Sequence, residues 1–227
     1  MRVVMLAFPR MTQLDLTGPF EVFSRFPEVT VDLAWKNTRA VEDANGLKIM
    51  PTVKMKKAAQ ADILFVPGGP GQMALMQDAE VLEFLRTQAA GAKYVTSVCT
   101  GSLVLASAGL LSGYRATCHW LSLADLALFG AEPVAERVVV DRNRVTGAGV
   151  TSGLDFALAL MGEVFGPEHA RRIALAMEYD PKPPFPGGSP ASALPEDVEA
   201  VTSVTARFQD ERRRVALAAA AAMKAPL

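Results

Sequence analysis

The chain has 227 residues, of which 50% are hydrophobic and 21% charged, and its formal net charge is −1. These proportions are typical of an ordinary globular protein and give no support to nucleic acid as a partner. Two cysteines are too few for a disulfide framework, and two histidines argue against a metal centre, so no cofactor is expected.

The first elements predict a buried strand followed by a helix. Arg2–Phe8 is almost continuously apolar, as in a strand buried on both faces, and it is too short for a signal-peptide core. No later apolar run reaches the roughly 18 residues of a membrane span, so we expect a cytoplasmic protein with no membrane partner. Pro9–Leu14 is predicted as a loop, and Pro19 suits the first turn of the helix that follows. Asp15 lies just ahead of that helix, and its position alone is typical of an exposed acidic residue in a loop or of a helix cap.

Two further strands and a hairpin precede a glycine-rich loop. Val29–Trp35 and Asp62–Val66 predict strands, and Asn45-Gly46 within Val41–Val53 is a strong hairpin signal. After Asp62–Val66 comes Pro67-Gly68-Gly69-Pro70-Gly71, where glycines let backbone amides turn inward and bind an anion. Plain turn chemistry is the alternative for this loop. A P-loop is excluded because no Lys-Ser/Thr pair follows.

The stretch Tyr94–Leu105 is the one around which we expect the chemistry to be arranged. Tyr94–Val98 predicts a buried strand, and from Thr100 onward small residues alternate with Leu and Val at helical spacing. Cys99 therefore lies at a sharp strand-to-helix turn, at the sheet edge where open α/β folds bind ligands. Free amides of the helix favour the thiolate, which predicts a pKa below the ordinary value of about 8.5. A small core hydrophobe is the alternative.

The rest of the chain continues the alternation of strands and helices. The further elements predicted are helices at Asp78–Ala90, Leu154–Phe165, Pro167–Met177 and Pro195–Met223, a short strand at Arg115–Trp120, and strands Val134–Val140 and Arg144–Thr146 paired across a turn. Small residues in Gly147–Gly153 allow close approach to the Cys99 turn. The pattern predicts a mainly parallel sheet covered on both faces, in a single domain over 1–227 with residues 190–227 as a C-terminal helix packed on it.

Six segments together resemble a known family. They are Leu14–Pro19, Pro67–Gly69, Val95–Ser102, His119-Trp120, Thr151–Phe156 and Glu178–Phe185. On these motifs the chain is identified as a member of the ThiJ/PfpI-like superfamily, which is related to class I glutamine amidotransferases. Within it the chain is most similar to the isocyanide hydratases, because Asp15 precedes Leu-Thr-Gly-Pro and Thr100 follows the cysteine. The one departure is Cys118, where we expect Thr.

The resemblance implies a flavodoxin-like three-layer sandwich with a cysteine nucleophile elbow, and the hydration of an isocyanide to an N-substituted formamide. Cys99 is then the nucleophile that forms a covalent thioimidate, Asp15 the general acid and base, and Thr100 the residue that positions Asp15 or water. The backbone amides of Gly69 and Val150 are candidates for binding either the thiolate or the developing anion. Three rings are candidates for contact with the substrate: Trp120, Phe156 and His119. Core packing is the alternative for Phe156, and a structural role is the alternative for His119.

Two other functions remain open for the same thiol. One is another thiol enzyme of the superfamily, a glyoxalase or an amidohydrolase; the other is a non-enzymatic cysteine redox sensor. A homodimer is expected from the resemblance and also from Glu178–Pro190, which carries Tyr179 and Phe185 in a proline-rich stretch that a monomer leaves poorly covered. A loop folded back on its own domain is the alternative.

Overall fold

The computed structural model describes residues 1–224. The strands are β1 Arg2–Leu6, β2 Thr30–Trp35, β3 Val41–Glu42, β4 Lys48–Ile49, β5 Val53–Lys54, β6 Ile63–Val66, β7 Tyr94–Val98, β8 Arg115–Ala116, β9 Glu132–Pro133, β10 Val138–Asp141 and β11 Arg144–Gly147. The helices are α1 Gln13–Phe23, α2 Gln72–Leu75, α3 Ala79–Gly91, α4 Gly101–Ser107, α5 Ser152–Phe165, α6 Pro167–Ala176 and α7 Pro195–Lys224, with 3-10 segments at Met55–Lys57 and Trp120–Phe129. The last three positions of the predicted 190–227 segment lie outside the described residues.

Seven strands form one sheet in the order β10-β11-β7-β6-β1-β2-β5. Neighbouring strands are parallel throughout, except that β10 is antiparallel to β11 at the edge. All four residues of β6 are buried, as are the last four of β1 and of β7. This agrees with the near-continuous apolar sequences of β1 and β6, whereas β7 also buries the small polar residues Thr96 and Ser97. The predicted mainly parallel, flavodoxin-like α/β sheet is confirmed.

Four adjacent strands direct their following loops to one edge of this sheet. β1 leads to α1, β6 to the glycine-rich loop, β7 to α4 and β11 to α5. Because parallel strands end on the same side, the loops after β11, β7, β6 and β1 meet there. These four loops carry most of the candidate site residues.

The start of α1 differs from the sequence prediction. The helix begins at Gln13, so Asp15 lies within its first turn, where a carboxyl group is favoured by the helix dipole. Pro19 is consequently the seventh helical residue rather than a first-turn proline. The missing amide of Pro19 leaves the Asp15 carbonyl without its usual helical donor. The proline ring instead packs on α5, where a Cβ added to Gly153 would lie 3.0 Å from Pro19 Cδ.

Two other boundaries are corrected, the first being that of the predicted strand Val134–Val140, which begins only at Val138 as β10. The predicted strand Arg115–Trp120 is only two residues long, and Trp120 begins a 3-10 segment whose N-cap is His119. The His119 ring accepts the Leu121 amide, a local turn bond that competes with continued strand pairing. The hairpin is confirmed: β3 and β4 are antiparallel, and Gly46 adopts a φ of +99° in the turn.

The C-terminal part of the chain has an irregular segment followed by the longest helix. Between α6 and α7 the chain forms no helix or strand, as predicted from its prolines and glycines. α7 buries Val215, Ala216, Ala219 and Ala220 in the same hydrophobic core as the sheet. Among residues 1–224, no helix combines the length and the apolarity that crossing a membrane requires.

Candidate active site

Cys99 occupies a turn that is both sharp and tightly enclosed. Its φ is +54°, a conformation that non-glycine residues rarely adopt. Its amide donates to the carbonyls of Gly147 and Ala148 at 3.0 and 2.7 Å, which joins the turn to the loop after β11. A Cβ on Gly101 would lie 2.2 Å from the Val66 carbonyl oxygen, so only glycine fits there. The predicted strand–cysteine–helix order and the close approach of the small-residue loop are both observed.

Asp15 is fully buried and lies beside the Cys99 thiol. Its Oδ2 accepts the Gly68 amide at 2.9 Å, while its Oδ1 has no hydrogen-bond partner among the described residues. A Cβ on Gly68 would lie 2.8 Å from Asp15 Oδ2 and 2.6 Å from the Thr100 amide nitrogen, so the absence of a side chain there lets the two loops meet. An exposed loop acid is thereby excluded, since the carboxyl group is directed into the protein at the cysteine.

The side chain of Thr100 accepts a hydrogen bond from the Gly69 amide, which was predicted to bind the developing anion. The Gly69 N–H donates to Thr100 Oγ1 at 3.0 Å, so the prediction that it binds the developing anion is wrong. Gly69 has a φ of +124°, and a Cβ there would lie 2.2 Å from the Thr12 amide nitrogen. This bond fixes the Thr100 hydroxyl, which is also the neighbour of Asp15 Oδ2 across Gly68. Because Thr100 Oγ1 accepts in this bond, its own hydroxyl proton remains available for donation.

The protonation of the pair is governed by burial. Burial raises the pKa of Asp15 to about 7, with contact to the Cys99 thiol and the Gly68 amide acting in the opposite direction. Burial also raises the pKa of the Cys99 thiol well above its ordinary value, and Asp15 and Cys118 add to this effect. The Thr100 amide lowers the thiol pKa but does not compensate.

The expectation of a low cysteine pKa is therefore wrong. α4 is only seven residues long, and the stabilisation at its N-terminus is smaller than the cost of burying a thiolate. At neutral pH the resting cysteine is a thiol beside a carboxyl group whose pKa is about 7. Any chemistry that uses the thiolate must first remove the thiol proton, and the Asp15 carboxyl group lies beside the sulfur.

Phe156 is not part of a substrate pocket. It is fully buried, and its ring lies 5.6 Å from that of Phe65 and 6.4 Å from that of Phe23, centroid to centroid. These three rings fill the core between the sheet, α1 and α5. The prediction that Phe156 contacts substrate is wrong, and its alternative of core packing is what the structure contains.

His119 and Trp120 lie near the loop that holds the cysteine amide. Their rings are stacked 6.1 Å apart, and both residues are partly exposed. His119 Nδ1 accepts the Leu121 amide, and burial lowers the pKa of the ring, so the neutral form carries its proton on Nε2. A Cβ on Gly149 would lie 3.3 Å from His119 Cδ2, which places the ring beside the loop containing Val150.

Sequence reasoning assigned no role to two side chains near the site. Cys118 is buried, and burial raises its pKa to about 12 despite the opposing charge of Arg212. Arg212 belongs to α7, more than 90 residues further along the chain than Cys118. In the sequence it is only one of several charged residues in Asp210–Arg214, and nothing there distinguishes it from its neighbours. Within the described residues, no cluster of three or more His, Cys, Asp or Glu side chains is arranged to bind a metal ion.

A cysteine in a strained strand-to-helix turn with a buried carboxyl partner, on a mainly parallel sheet, defines the class of α/β protein to which the chain belongs. The DJ-1/PfpI family profile matches residues 1–163, and the chain belongs to this family. The predicted superfamily is thereby confirmed.

Individual relatives refine this assignment. The chain is 49% identical over 193 residues to isonitrile hydratase from Pseudomonas putida, covering 85% of each sequence; isonitrile is another word for isocyanide. It is 31% identical over 142 residues to the glutathione-independent glyoxalase DJR-1.2 from Caenorhabditis elegans, covering 62% of this chain and 76% of that one. The crystal structure of a ThiJ/PfpI family protein from Pseudomonas syringae superimposes with a TM-score of 0.92 at 42% identity, covering 95% of this chain and 90% of that chain.

Proposed function

We propose that this chain is an isocyanide hydratase, a lyase that adds water to R–N≡C to give an N-substituted formamide. The observation that carries the proposal is the buried Asp15 carboxyl beside the Cys99 thiol, with Oδ1 free of protein partners. Such a pair supplies both a soft nucleophile and a group that exchanges protons near neutral pH. The 49% identity to the Pseudomonas putida isonitrile hydratase, over most of both chains, supports the same activity.

In the first step Asp15 moves a proton from sulfur to carbon. The Asp15 carboxylate accepts the thiol proton as the Cys99 sulfur attacks the terminal carbon of the isocyanide. A C–S bond forms, one C–N bonding pair is lost, and the proton on Asp15 is delivered to that carbon. The product is a thioimidate, Cys99–S–CH=N–R. A carboxyl pKa of about 7 suits this exchange, because the acid and base forms are both populated at neutral pH.

In the second step the same carboxylate acts on water. Asp15 accepts a proton from a water molecule that attacks the CH carbon of the thioimidate, and it delivers this proton to the nitrogen. The tetrahedral species Cys99–S–CH(OH)–NH–R then forms its C=O bond as the C–S bond breaks, its hydroxyl proton passes through Asp15 to the sulfur, and R–NH–CHO leaves. One water has been added in all, and Cys99 and Asp15 return to their starting protonation.

Neighbouring groups orient this chemistry. The Thr100 amide interacts with the sulfur and favours its negative charge during attack. The Thr100 hydroxyl, held by the Gly69 amide, is assigned to orient Asp15 or water. The Val150 amide is our candidate for the hydrogen-bond donor that stabilises the developing negative charge on the substrate. His119 Nε2–H and the Trp120 ring are our candidates for contact with the R group.

The proposal is tested by supplying the purified protein with a simple aryl isocyanide and following formamide by liquid chromatography. We expect catalytic turnover at neutral pH with no added cofactor. Heat-inactivated protein and free cysteine at equal concentration serve as controls for uncatalysed addition. No formamide above these controls contradicts the proposal.

A glyoxalase is the second candidate, because a relative 31% identical over part of the chain has that activity in its name. The same protein preparation is therefore given methylglyoxal. Turnover of methylglyoxal without turnover of isocyanide favours the glyoxalase. The redox-sensor alternative has less support, since a buried thiol with a raised pKa reacts slowly with peroxide.

We also propose that the chain forms a homodimer through its C-terminal part. Among the described residues of this part, six large apolar side chains are exposed in the single chain: Leu175, Phe185, Leu194, Val201, Val204 and Leu217. Phe185 lies in the proline-rich segment, whereas Val201 and Val204 lie on α7. Exposed apolar side chains that recur along one stretch of the chain favour an interface. Light scattering after size-exclusion chromatography is expected to give about twice the mass of the 24.2 kDa chain, and a monomer contradicts this proposal.

Two further assignments belong to the proposal. The chain is a single domain over 1–227, with the C-terminal helix packed on it, supported by the α7 side chains that share the core of the sheet. Its location is cytoplasmic, supported by two free thiols, which a reducing compartment preserves. Cell fractionation of the natural source tests the location.

A further inference from the structure

Two of the segments singled out in the sequence, Thr151–Phe156 and Glu178–Phe185, take no part in the proposed mechanism, and the structure joins them. The Tyr179 hydroxyl donates to Asp155 Oδ1 at 2.9 Å, and Asp155 Oδ2 accepts the Arg137 Nε–H at 2.6 Å. Burial and the bond to Asp155 raise the pKa of Tyr179, so the hydroxyl keeps the proton that it donates. These three side chains therefore form a hydrogen-bonded cluster at the start of α5.

Arg137 holds the loop between β11 and α5 at both ends. At the first end its carbonyl oxygen accepts the Ala148 amide at 2.9 Å. At the other end its Nη2 donates to the Thr151 carbonyl at 3.1 Å and lies 3.4 Å from the Thr151 hydroxyl. Thr151 is the N-cap of α5, and its side chain makes no capping hydrogen bond. The residues between the two ends are Gly149 and Val150.

The same loop is bonded directly to the turn that holds the nucleophile. The Ala148 carbonyl accepts the Cys99 amide at 2.7 Å, so Ala148 bonds to Arg137 through its amide and to Cys99 through its carbonyl. The Val150 amide, our candidate donor to the substrate, lies two residues further along. A shift of this loop therefore moves that donor relative to the sulfur, and a misplacement of about 1 Å lowers turnover by up to about 100-fold.

The Arg137 side chain is expected to contribute little to the stability of the fold. It is 54% exposed, and such exposed ion pairs stabilise proteins only weakly. A cation at a helix N-terminus is also disfavoured by the helix dipole, an effect that Asp155 in the first turn offsets. What the guanidinium adds is geometry, because its planar fork bonds a carboxylate and a carbonyl at the same time.

We propose that Arg137 is a positioning residue of the active site, which fixes the loop Ala148–Thr151 so that the Val150 amide and the Cys99 turn keep their arrangement during the reaction. The inference rests on the proposed function, since it concerns the donor and the nucleophile of the same site. Replacing the side chain leaves the Arg137 carbonyl in place to accept the Ala148 amide. Such a substitution therefore releases only the α5 end of the loop.

The test compares Arg137→Met with the matched control Arg142→Met. Arg142 lies in the turn between β10 and β11, at the opposite end of these strands from Arg137. Its side chain is 58% exposed, pairs with Asp141 and donates to the Gly113 carbonyl at 2.7 Å, so its removal breaks the same kinds of bond away from the site. Both variants are expected to stay folded, with Tm values within about 4 °C of the parent.

Hydrogen exchange measured by mass spectrometry gives a readout that needs no substrate. The Ala148 and Ser152 amides, bonded to the carbonyls of Arg137 and Gly149, report opening of the loop. In Arg137→Met we expect these two amides to exchange about tenfold faster, resolved by fragmentation of a peptide covering residues 144–156. In Arg142→Met they are expected to exchange as in the parent.

Turnover of an aryl isocyanide gives the second readout. Because the Val150 amide is assigned to the developing charge, Arg137→Met is expected to lower kcat about tenfold and to change KM by less than about threefold. Arg137→Lys keeps a charge beside Asp155 without the planar fork, and it is expected to recover part of the loss. Arg142→Met is expected to stay within about twofold of the parent.

Unchanged exchange of the loop amides in Arg137→Met overturns the inference. Faster exchange with an unchanged kcat also overturns it, and so does an equal effect of Arg142→Met. A parent that turns over no isocyanide contradicts the proposed function alone, and the exchange rates then decide whether Arg137 holds the loop. Should circular dichroism show that Arg137→Met is unfolded, Asp155→Asn takes its place, because it removes the charge that holds the guanidinium, and the same outcomes apply.

Discussion

The molecule contains two buried thiols in two different settings. Cys99 lies in a strained turn at the end of a central strand, while Cys118 follows the two-residue strand β8. Burial raises the pKa of both. Cys99 alone has a buried carboxyl group directly beside it, and Cys118 has instead the His119 amide and the charge of Arg212. Under the proposed mechanism, an adjacent proton acceptor is therefore what separates the nucleophile from the second thiol, since burial disfavours the thiolate at both positions.

The largest expected effect comes from removing the sulfur of Cys99. Cys99→Ala is predicted to abolish formamide production and to leave the fold intact, since alanine fits the space of the cysteine. Turnover and the far-ultraviolet circular dichroism spectrum are measured on the same sample. Residual activity within about tenfold of the unmodified chain, a barrier change of only ~1.4 kcal/mol, is incompatible with covalent catalysis.

Removing the proton acceptor is predicted to have the next largest effect. Asp15→Asn retains the shape and the bond from the Gly68 amide but does not exchange a proton at neutral pH, so turnover is expected to fall about 100-fold or more, with little rescue at high pH. Asp15→Glu moves the carboxyl group and is expected to be milder but measurable. Asp43→Asn is the matched control, a buried aspartate of the β3–β4 hairpin that accepts the Asn45 and Leu47 amides, far along the chain from the cysteine turn. Full activity in Asp15→Asn removes the residue on which the mechanism depends.

The raised pKa of Asp15 predicts a pH-dependent stability difference. In the unfolded chain the carboxyl group ionises near 3.8, whereas in the folded protein it holds its proton to about 7. Its contribution to stability is therefore present below pH 3.8 and is lost as the pH rises to about 7. The Asp15→Asn protein lacks this loss of stability. The two proteins are therefore expected to have nearly equal Tm values at pH 4, whereas at pH 8 the Tm of Asp15→Asn is expected to be several degrees above that of the parent. A Tm difference that does not change with pH argues that Asp15 is not buried as an acid.

The smallest effect is predicted for the second thiol. Cys118→Thr replaces one small residue by another of similar volume at a position with no carboxyl partner, and turnover is expected to stay within about threefold of the parent. The same assay and protein concentration are used as for Cys99→Ala. A loss of activity as complete as that of Cys99→Ala means that Cys118 is the nucleophile or that both thiols act.

The features of the fold and site that could be predicted from the sequence are those determined by residues close together along the chain. The strand Tyr94–Val98, the turn at Cys99 and the hairpin at Gly46 follow from residue types within a few positions of each other. The order of parallel strands follows from their alternation with helices. The family also followed, because its motifs are short and contiguous.

The remaining details depend on contacts between distant parts of the chain. Asp15 is buried by a loop 53 residues away, and the Gly69 amide is taken by a hydroxyl 31 residues away. Arg212 reaches Ser122 across 90 residues. Residue type alone does not say whether burial or a helix terminus dominates at Cys99, and here burial wins. The sequence around Phe156 is compatible with a core residue and with a pocket residue. Only its packing against the rings of Phe23 and Phe65 shows that it belongs to the core.

The central claim, that Cys99 forms a covalent bond to the substrate carbon, is tested most directly by rapid-quench mass spectrometry. The Cys118→Thr protein, which has a single cysteine, is mixed with an aryl isocyanide and quenched in acid at times from milliseconds to seconds. We predict a transient mass increase equal to one isocyanide on the peptide containing Cys99, which forms and decays at rates consistent with turnover. Steady formamide production with Cys99 unmodified at every time point would contradict the account.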